Sequence, residues 1–396
     1  MAIESNLLLA PAGRARRETM LLVSEPVLGD DEKLALARVI DSNWITMGHL
    51  VAEFEQSFAE LHGAPEAVAV SNCTAGLHLA LAAFGLGPGD EVLVPSLSFV
   101  ATANAVIYAG ATPVFVDIDG IETPVMSLRD AQAKVTPRTK AVVVMHYAGA
   151  VMDPEAWRGF ANRNGLILIE DSAHAVGAER GPVYGDAAVF SFFGNKNMTT
   201  AEGGMVVADD PAVLRFVRQA RGHGMTASTI ERLRGAGSYD VTMLGYNYRM
   251  TELNAAIGLV QMPKLKRWNA KRRRLSADYR KLVATLCPSV IVPFKVSTVS
   301  THHILPAVLP VAVDRKAVAT ALRDEGIQTS FHYPPIHRLT WYEQRDAFTR
   351  LPITEEFSAR ELTLPLHPKM EEWQVRYVVQ TLARALEADG QQASHP

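Results

Sequence analysis

The sequence predicts an α/β fold: a large domain on a mostly parallel sheet flanked by helices, then a smaller C-terminal α/β domain. Three observations carry the prediction. Seven short apolar runs recur between residues 67 and 207, bounded by small or polar residues. Helix-length stretches separate most of them, and repeated βα alternation is the pattern of an open sheet covered by helices. The chain has 396 residues, 48% hydrophobic and 20% charged, enough to bury a large core and to divide into two domains.

Residues 1–19 hold a four-residue apolar patch, Leu7 to Ala10, followed by Arg14, Arg16 and Arg17. A secretory signal has its charge first and a longer apolar run after it. These residues are expected to be a disordered extension, with Met20 an alternative start. The large domain is expected over 20–262. Leu36, Val39 and Ile40, then Val51, Phe54, Phe58 and Leu61, recur at helical spacing on either side of a loop at 43–48.

Strands are expected at 67–70, 91–94, 112–116, 141–145, 166–169, 187–190 and 204–207. Helices are expected at 75–84, 101–109 and 154–164. Right-handed crossovers then place the strand C-termini on one edge, where ligands bind. Residues 209–245 are polar and carry Gly222, Gly224, Gly235 and Gly237, which reads as an excursion or mobile loop. Residues 250–280 read as a long helix broken near Pro263. The smaller domain, 263–396, is expected to hold a strand around 304–309, a helix at 315–325 and a loop at 331–338, with a polar tail from 388.

The net charge of −3 gives no pull toward nucleic acid or an anionic membrane. The basic run Lys264, Lys266, Arg267 and 271–274 therefore reads as a solvated helix face. No run of about 18 apolar residues is present, so no spanning helix is expected. Two cysteines, Cys73 and Cys287, lie far apart in the sequence. They argue against a disulfide framework or a zinc site and for a reducing, cytoplasmic setting; no metal is expected.

Chemistry concentrates in three segments. In the first, the run at 67–70 ends at Ser71-Asn72-Cys73-Thr74-Ala75, and a helix starts at once. Thr74 or Ser71 is expected to cap it, and its free amides make an anion site, although the same turn also reads as an ordinary capped helix. Gly85-Leu86-Gly87-Pro88-Gly89 is no dinucleotide loop, because it follows a helix and precedes a strand. In the second segment a strand ends on Glu170-Asp171, with His174 three residues on. Adjacent strand residues face opposite ways, so one carboxylate can face a site while the other does not. In the third, Lys196 lies in a small, polar stretch between two apolar runs.

A lysine and a strand-end aspartate are the minimum equipment for holding pyridoxal phosphate (PLP). The lysine condenses with the aldehyde, and the aspartate keeps the pyridine nitrogen protonated. Each signal alone has a plainer reading: a surface lysine, a capping aspartate, a structural histidine. Their order across successive strands favours the chemical one.

With these segments in place, the chain resembles the DegT/StrS family of sugar aminotransferases, of PLP fold type I (aspartate aminotransferase-like). The resemblance covers about 22–384 and is most specific at 71–81, 90–117, 170–175, 191–204 and 244–256. It implies that Lys196 is the cofactor lysine, Asp171 the partner of the ring nitrogen and His174 a ring-side group. It also implies that Thr74, Ala75 and Ser191 hold the phosphate and that Phe99 stacks on the ring. Asn247 matches an asparagine that reaches the phosphate from the neighbouring subunit, which implies a homodimer with shared sites. Trp44, Thr46 and His332 fall in segments that resemble borders of a sugar-nucleotide pocket. Two departures stand out: Cys73 and Ala201 occupy positions where glycine is common.

The resemblance implies ping-pong transamination. An amino acid, with L-glutamate the expected donor, would give its amine to the cofactor. A keto-sugar, most simply a nucleotide-linked one, would receive it in aminodeoxysugar biosynthesis. Amination of a keto-cyclitol or other cyclic ketone uses the same cofactor residues and stays open. A PLP-dependent sugar dehydratase of this family carries histidine at the lysine position, which Lys196 contradicts. The complete Lys, Asp and His set argues against a non-catalytic regulator. No glycine fingerprint opens a βα unit, which argues against a nicotinamide dehydrogenase.

Overall fold

The seven apolar runs pair into one sheet in the computed structural model, which describes residues 20–178, 183–227, 232, 235 and 238–392. The expected extension at 1–19 lies outside the described residues, as do 228–231, 233–234 and 236–237 of the 209–245 stretch. In chain order the large unit runs α1 (Asp30–Asp41), α2 (His49–His62), β1 (Ala67–Val70), α3 (Cys73–Ala83), β2 (Glu91–Pro95), α4 (Ala101–Tyr108) and β3 (Thr112–Val116). It continues through α5 (Leu128–Ala133), β4 (Thr139–Met145), α6 (Pro154–Asn164), β5 (Ile167–Asp171), β6 (Ala187–Ser191), β7 (Gly204–Val207) and α7 (Pro211–Ala220). A long helix, α8 (Glu252–Leu286), leads to β8 (Leu305–Val308), α9 (Arg315–Asp324), α10 (Thr340–Glu343), α11 (Pro352–Arg360), β9 (Glu361–Leu364) and α12 (Glu372–Gln392).

The strand order is β1-β7-β6-β5-β4-β2-β3. Only β7 runs against its neighbours, while the other pairings are parallel. Six strands therefore end on one edge, and the start of β7 meets them there. The two faces follow from period-two alternation. Val68, Val70, Val92, Val94, Val143, Ile169, Val189 and Val206 pack under α3, α4 and α7. On the other face Ala69, Phe190, Met205 and Val207 meet Phe54 and Phe58 of α2, and Leu93, Val142, Val144 and Leu168 meet Trp157 and Phe160 of α6.

β8 and β9 pair antiparallel as a separate two-stranded sheet. Its core joins Leu305, Ala307, Leu362 and Leu364 to α9, α12 and the second half of α8. Leu21 belongs to this second core, although it lies at the opposite end of the chain. Its amide donates to the Gly326 carbonyl at 2.8 Å.

Three local expectations change. Asn72, and neither Thr74 nor Ser71, caps α3: its Oδ1 accepts from the Ala75 amide at 2.9 Å. An asparagine oxygen does the same work as a hydroxyl at this position. α8 runs unbroken through Pro263. The lost hydrogen bond and ring clash are outweighed by packing on both sides. There Gln261 bonds Val27 and Glu32, Lys264 pairs with Glu32, and Leu265 is buried. Within 209–245 a full helix, α7, opens on Asp210 as cap and Pro211 as first residue and buries Val213, Leu214 and Val217.

Candidate active site

Each site residue is placed by the end of a particular strand or helix. Ile167, Ile169 and Asp171 alternate onto the α3 and α4 face of β5, whereas Leu168 and Glu170 face α6. Asp171 is thus carried to the strand edge, where its Oδ2 accepts from Thr102 Oγ1 at 2.6 Å and its Oδ1 from the Ala173 amide at 3.2 Å. Ser98 lies 2.7 Å behind Thr102, so a short hydroxyl chain supports the carboxylate. Glu170 turns the other way. It holds His146 Nε2 at 3.0 Å and accepts the amides of Tyr184 and Gly185 at 2.7 and 2.6 Å.

A cavity of about 610 Å³ opens at this edge. Thr74, Ala75, Phe99, Asp171, His174, Ser191, Lys196 and His332 all line it. Lys196 enters from the connection between β6 and β7, and Ser191 is the last residue of β6. Phe99 is exposed, and its centroid lies 6.1 Å from that of Tyr333. Trp44, Thr46 and Asn247 are not brought to this cavity. Thr46 lines a different one, Trp44 donates to the Met47 carbonyl in its own loop, and Asn247 lies exposed.

The start of α3 forms the far wall. The Ala75 amide is taken by the Asn72 cap, and the amides of Cys73 and Thr74 have no acceptor within the helix. β7 approaches this turn closely: a Cβ on Gly204 would lie 2.7 Å from the Asn72 carbonyl carbon and the Cys73 nitrogen. Cys73 brings a buried thiol 4.0 Å from Asp171 Oδ1. Ala201 adopts φ +68°, a left-handed conformation that favours glycine, which accounts for glycine being common there in the family it resembles.

Burial sets the electrostatics. It raises the Asp171 carboxyl, against the Thr102 and Ala173 hydrogen bonds and the charge of Lys196. Burial also pushes the Lys196 amine down to about 8, against the attraction of Cys73 and Asp171. His174 is held well below its usual range by burial and then by Lys196. The cavity therefore holds a nucleophilic amine, a carboxyl short of a cation and a neutral imidazole.

Several residues that sequence reasoning passed over complete the site. Tyr333 places its hydroxyl 2.9 Å from His174 Nε2, while Thr301 donates to the His174 carbonyl at 2.5 Å. Tyr333 and Thr301 are remote in sequence from His174, so only the fold joins them. Thr102 lies three residues after Phe99, at the start of α4.

These groups fit PLP. His174 Nδ1 is buried and has no hydrogen-bond partner among the described residues, so it suits a polar ring substituent. Asp171 is a buried carboxyl to which a pyridinium N–H would add a cationic partner. The Gly204 approach and the free amides of α3 leave a small, positively biased cradle for a phosphate.

A sequence model of the DegT/DnrJ/EryC1/StrS aminotransferase family matches residues 26–383. Among solved structures, the chain is similar to the aminotransferase TlmJ from Streptoalloteichus hindustanus. Identity is 33%, TM-score 0.86, and coverage 93% of this chain and 99% of that one. It is similar to DesI, solved in the presence of its TDP-sugar product, at 34% identity and TM-score 0.84, over 97% of each chain. Spr1654 from Streptococcus pneumoniae, in its PLP form, matches at 28% identity and TM-score 0.86, over 93% of this chain and 99% of that one.

Proposed function

This chain belongs to the DegT/DnrJ/EryC1/StrS aminotransferase family, and we propose that it moves an amino group from L-glutamate to a nucleotide-linked keto-sugar. The family is PLP-dependent. The observation that carries the reading is the meeting of Lys196, Asp171 and the unpartnered His174 Nδ1 around one cavity at the strand ends.

When bound, PLP supplies an aldehyde that binds amines and a ring that takes up electrons from a deprotonated carbon. Lys196 would bind the aldehyde, Asp171 the ring nitrogen and His174 a ring-side oxygen. Ser191, with the amides of Cys73 and Thr74, would hold the phosphate. Phe99 would cover one face of the ring.

The chain's own groups divide the labour by protonation state. With its amine near 8, Lys196 is roughly a tenth neutral at pH 7, against fewer than about one part in a thousand for an ordinary lysine. It can therefore act as nucleophile and, once displaced by a substrate amine, as the base that moves a proton. Asp171 keeps a positive ring nitrogen beside it, with Thr102 and the Ala173 amide fixing its oxygens. Tyr333 and Thr301 hold His174 in place from the ring and the carbonyl.

Similarity to DesI supports a nucleotide-linked acceptor, and the position of Asn247 supports a homodimer. Asn247 lies outside the cavity of its own chain and is free to serve a neighbour's. Among the described residues no helix is long and apolar enough to cross a membrane.

The test is a screen of the amine-loaded enzyme against nucleotide-linked keto-sugars and keto-cyclitols, following return of the visible absorbance of lysine-bound cofactor. A nucleotide-linked keto-sugar should restore it. Restoration by a cyclitol alone would replace the acceptor assigned here. Glutamate should be the amino acid that reloads the enzyme fastest.

A further inference from the structure

His332 borders the cavity with Lys196, and what stands behind it is unusual. Its Nδ1 lies 2.8 Å from Thr363 Oγ1, and Thr363 Oγ1 lies 2.5 Å from Glu361 Oε1. The other oxygen of Glu361 accepts the His332 amide at 2.8 Å. Glu361 and Thr363 are buried on β9, and Thr363 is pinned by paired backbone hydrogen bonds to Ser330 at 2.8 and 3.1 Å. Among the described residues His332 Nε2 has no hydrogen-bond partner.

A hydroxyl has one proton to give, so this chain has two polarities. In one, Glu361 carries a proton and donates to Thr363, which donates to His332 Nδ1; the ring then presents Nε2–H to the cavity. In the other, Glu361 is ionised, Thr363 donates to it, and Nδ1–H donates to Thr363; Nε2 then presents a lone pair. Switching between them moves a proton through the chain while the imidazole stays neutral.

We propose that Glu361, Thr363 and His332 form a proton relay that opens on the cavity at His332 Nε2 and serves the oxygen of the acceptor ketone. The inference rests on the reading that a ketone is aminated here. Its carbonyl oxygen must leave as water, so that oxygen must gain protons. In the step, the Nε2–H bond breaks and its proton goes to the departing oxygen. The Thr363 hydroxyl proton passes to Nδ1, the Glu361 proton passes to Thr363, and Glu361 is left as carboxylate. Solvent returns its proton before the next turnover.

The surroundings suit this direction. Burial, and then the charge of Lys196, pushes the His332 ring down to about 4, so it does not become imidazolium at working pH. Burial raises the Glu361 carboxyl to about 8, against the hydrogen bonds from Thr363 and the His332 amide and the Arg315 guanidinium. Tyr147 and Tyr333 also face Glu361, and burial keeps both phenols neutral. His174 and His303 stand beside His332 and are held neutral as well. Near neutral pH the relay is loaded in its acid form.

The test uses holoenzyme labelled with ¹⁵N-histidine, with long-range ¹H–¹⁵N correlation to show which nitrogen of His332 is protonated. His332 should be Nε2–H at pH 6.5 and change toward Nδ1–H above about 8. In Glu361→Gln the His332 amide holds the side-chain oxygen, which turns the NH2 to Thr363 as a donor, so the ring should stay Nε2–H throughout. Stopped-flow then separates the two halves of the reaction. Thr363→Val should slow the ketone-dependent half by roughly ten- to a hundredfold. The amino-acid half should change by no more than about twofold, and Thr363→Ser should restore the loss. A His332 tautomer that ignores pH in the unaltered enzyme would overturn the relay, as would equal slowing of both halves by Thr363→Val. Failure of the amino-acid half in the unaltered enzyme would instead overturn the aminotransferase reading.

Discussion

At the residue scale, the groups with strong chemical character were legible in the sequence, and their supports were not. Lys196, Asp171 and His174 announce themselves by type and by position near apolar runs. Thr102, Tyr333 and Thr363 are ordinary residues until folding brings them to a carboxylate or an imidazole. Tyr333 meets His174 across 159 sequence positions, a separation that carries no periodic signal. The depressed Lys196 amine makes a direct prediction. Cofactor loading of the apoprotein needs the neutral amine, so its rate should rise about fivefold from pH 7 to 8 and less than about twofold beyond. The sign follows from burial favouring the neutral form. Apoprotein mixed with PLP and followed by absorbance tests it. A rate still climbing about eightfold per unit near pH 9.5 would mean an unshifted lysine.

At the element scale, the seven strands were readable because each is a short apolar run between polar turns. The α3 cap was misassigned among three neighbouring polar residues that differ little in capping power. α7 was hidden by its polar face, although Asp210-Pro211 is a strong start signal. Pro263 misled because local propensity ignores the packing that keeps α8 continuous. The contact between β7 and the start of α3 belongs at this scale too. Gly204→Ala would drive a methyl into the Asn72–Cys73 peptide, which is backbone and cannot turn aside. It should cost about 1–3 kcal/mol of stability. It should also weaken PLP binding, because the anion cradle is what moves. Thermal melting and a PLP titration check both effects, and unchanged PLP affinity would remove the cradle from the phosphate site.

At the scale of the whole molecule, the division into a large and a small sheet was expected, but the traffic between them was not. Leu21 crosses to the second core, and the 332–333 segment returns to the first, so the site is closed by both units. Asn247 carries the dimer prediction. Lys196→Ala and Asn247→Ala subunits, each inactive alone, are mixed and allowed to exchange. If sites are shared, every mixed dimer holds one site with both residues intact. Random pairing makes half the dimers mixed, so activity should return to about a quarter of the unaltered enzyme's. No recovery after exchange would place Asn247 within its own subunit's work.

The unbroken α8 has a further consequence, in calorimetry. Its first residue, Glu252, accepts the amides of Gly48, Leu50 and Val51 at 2.9–3.0 Å. Farther along, Arg272 donates to the carbonyls of His303 and Leu366, and Tyr279 to that of Pro365. Neither sheet can lose its core without stripping packing from the same helix. Heating should therefore give one heat-absorption peak for both sheets, with no stage at which the small sheet has melted alone. Two resolved peaks would show that α8 can fray at one end while the other holds.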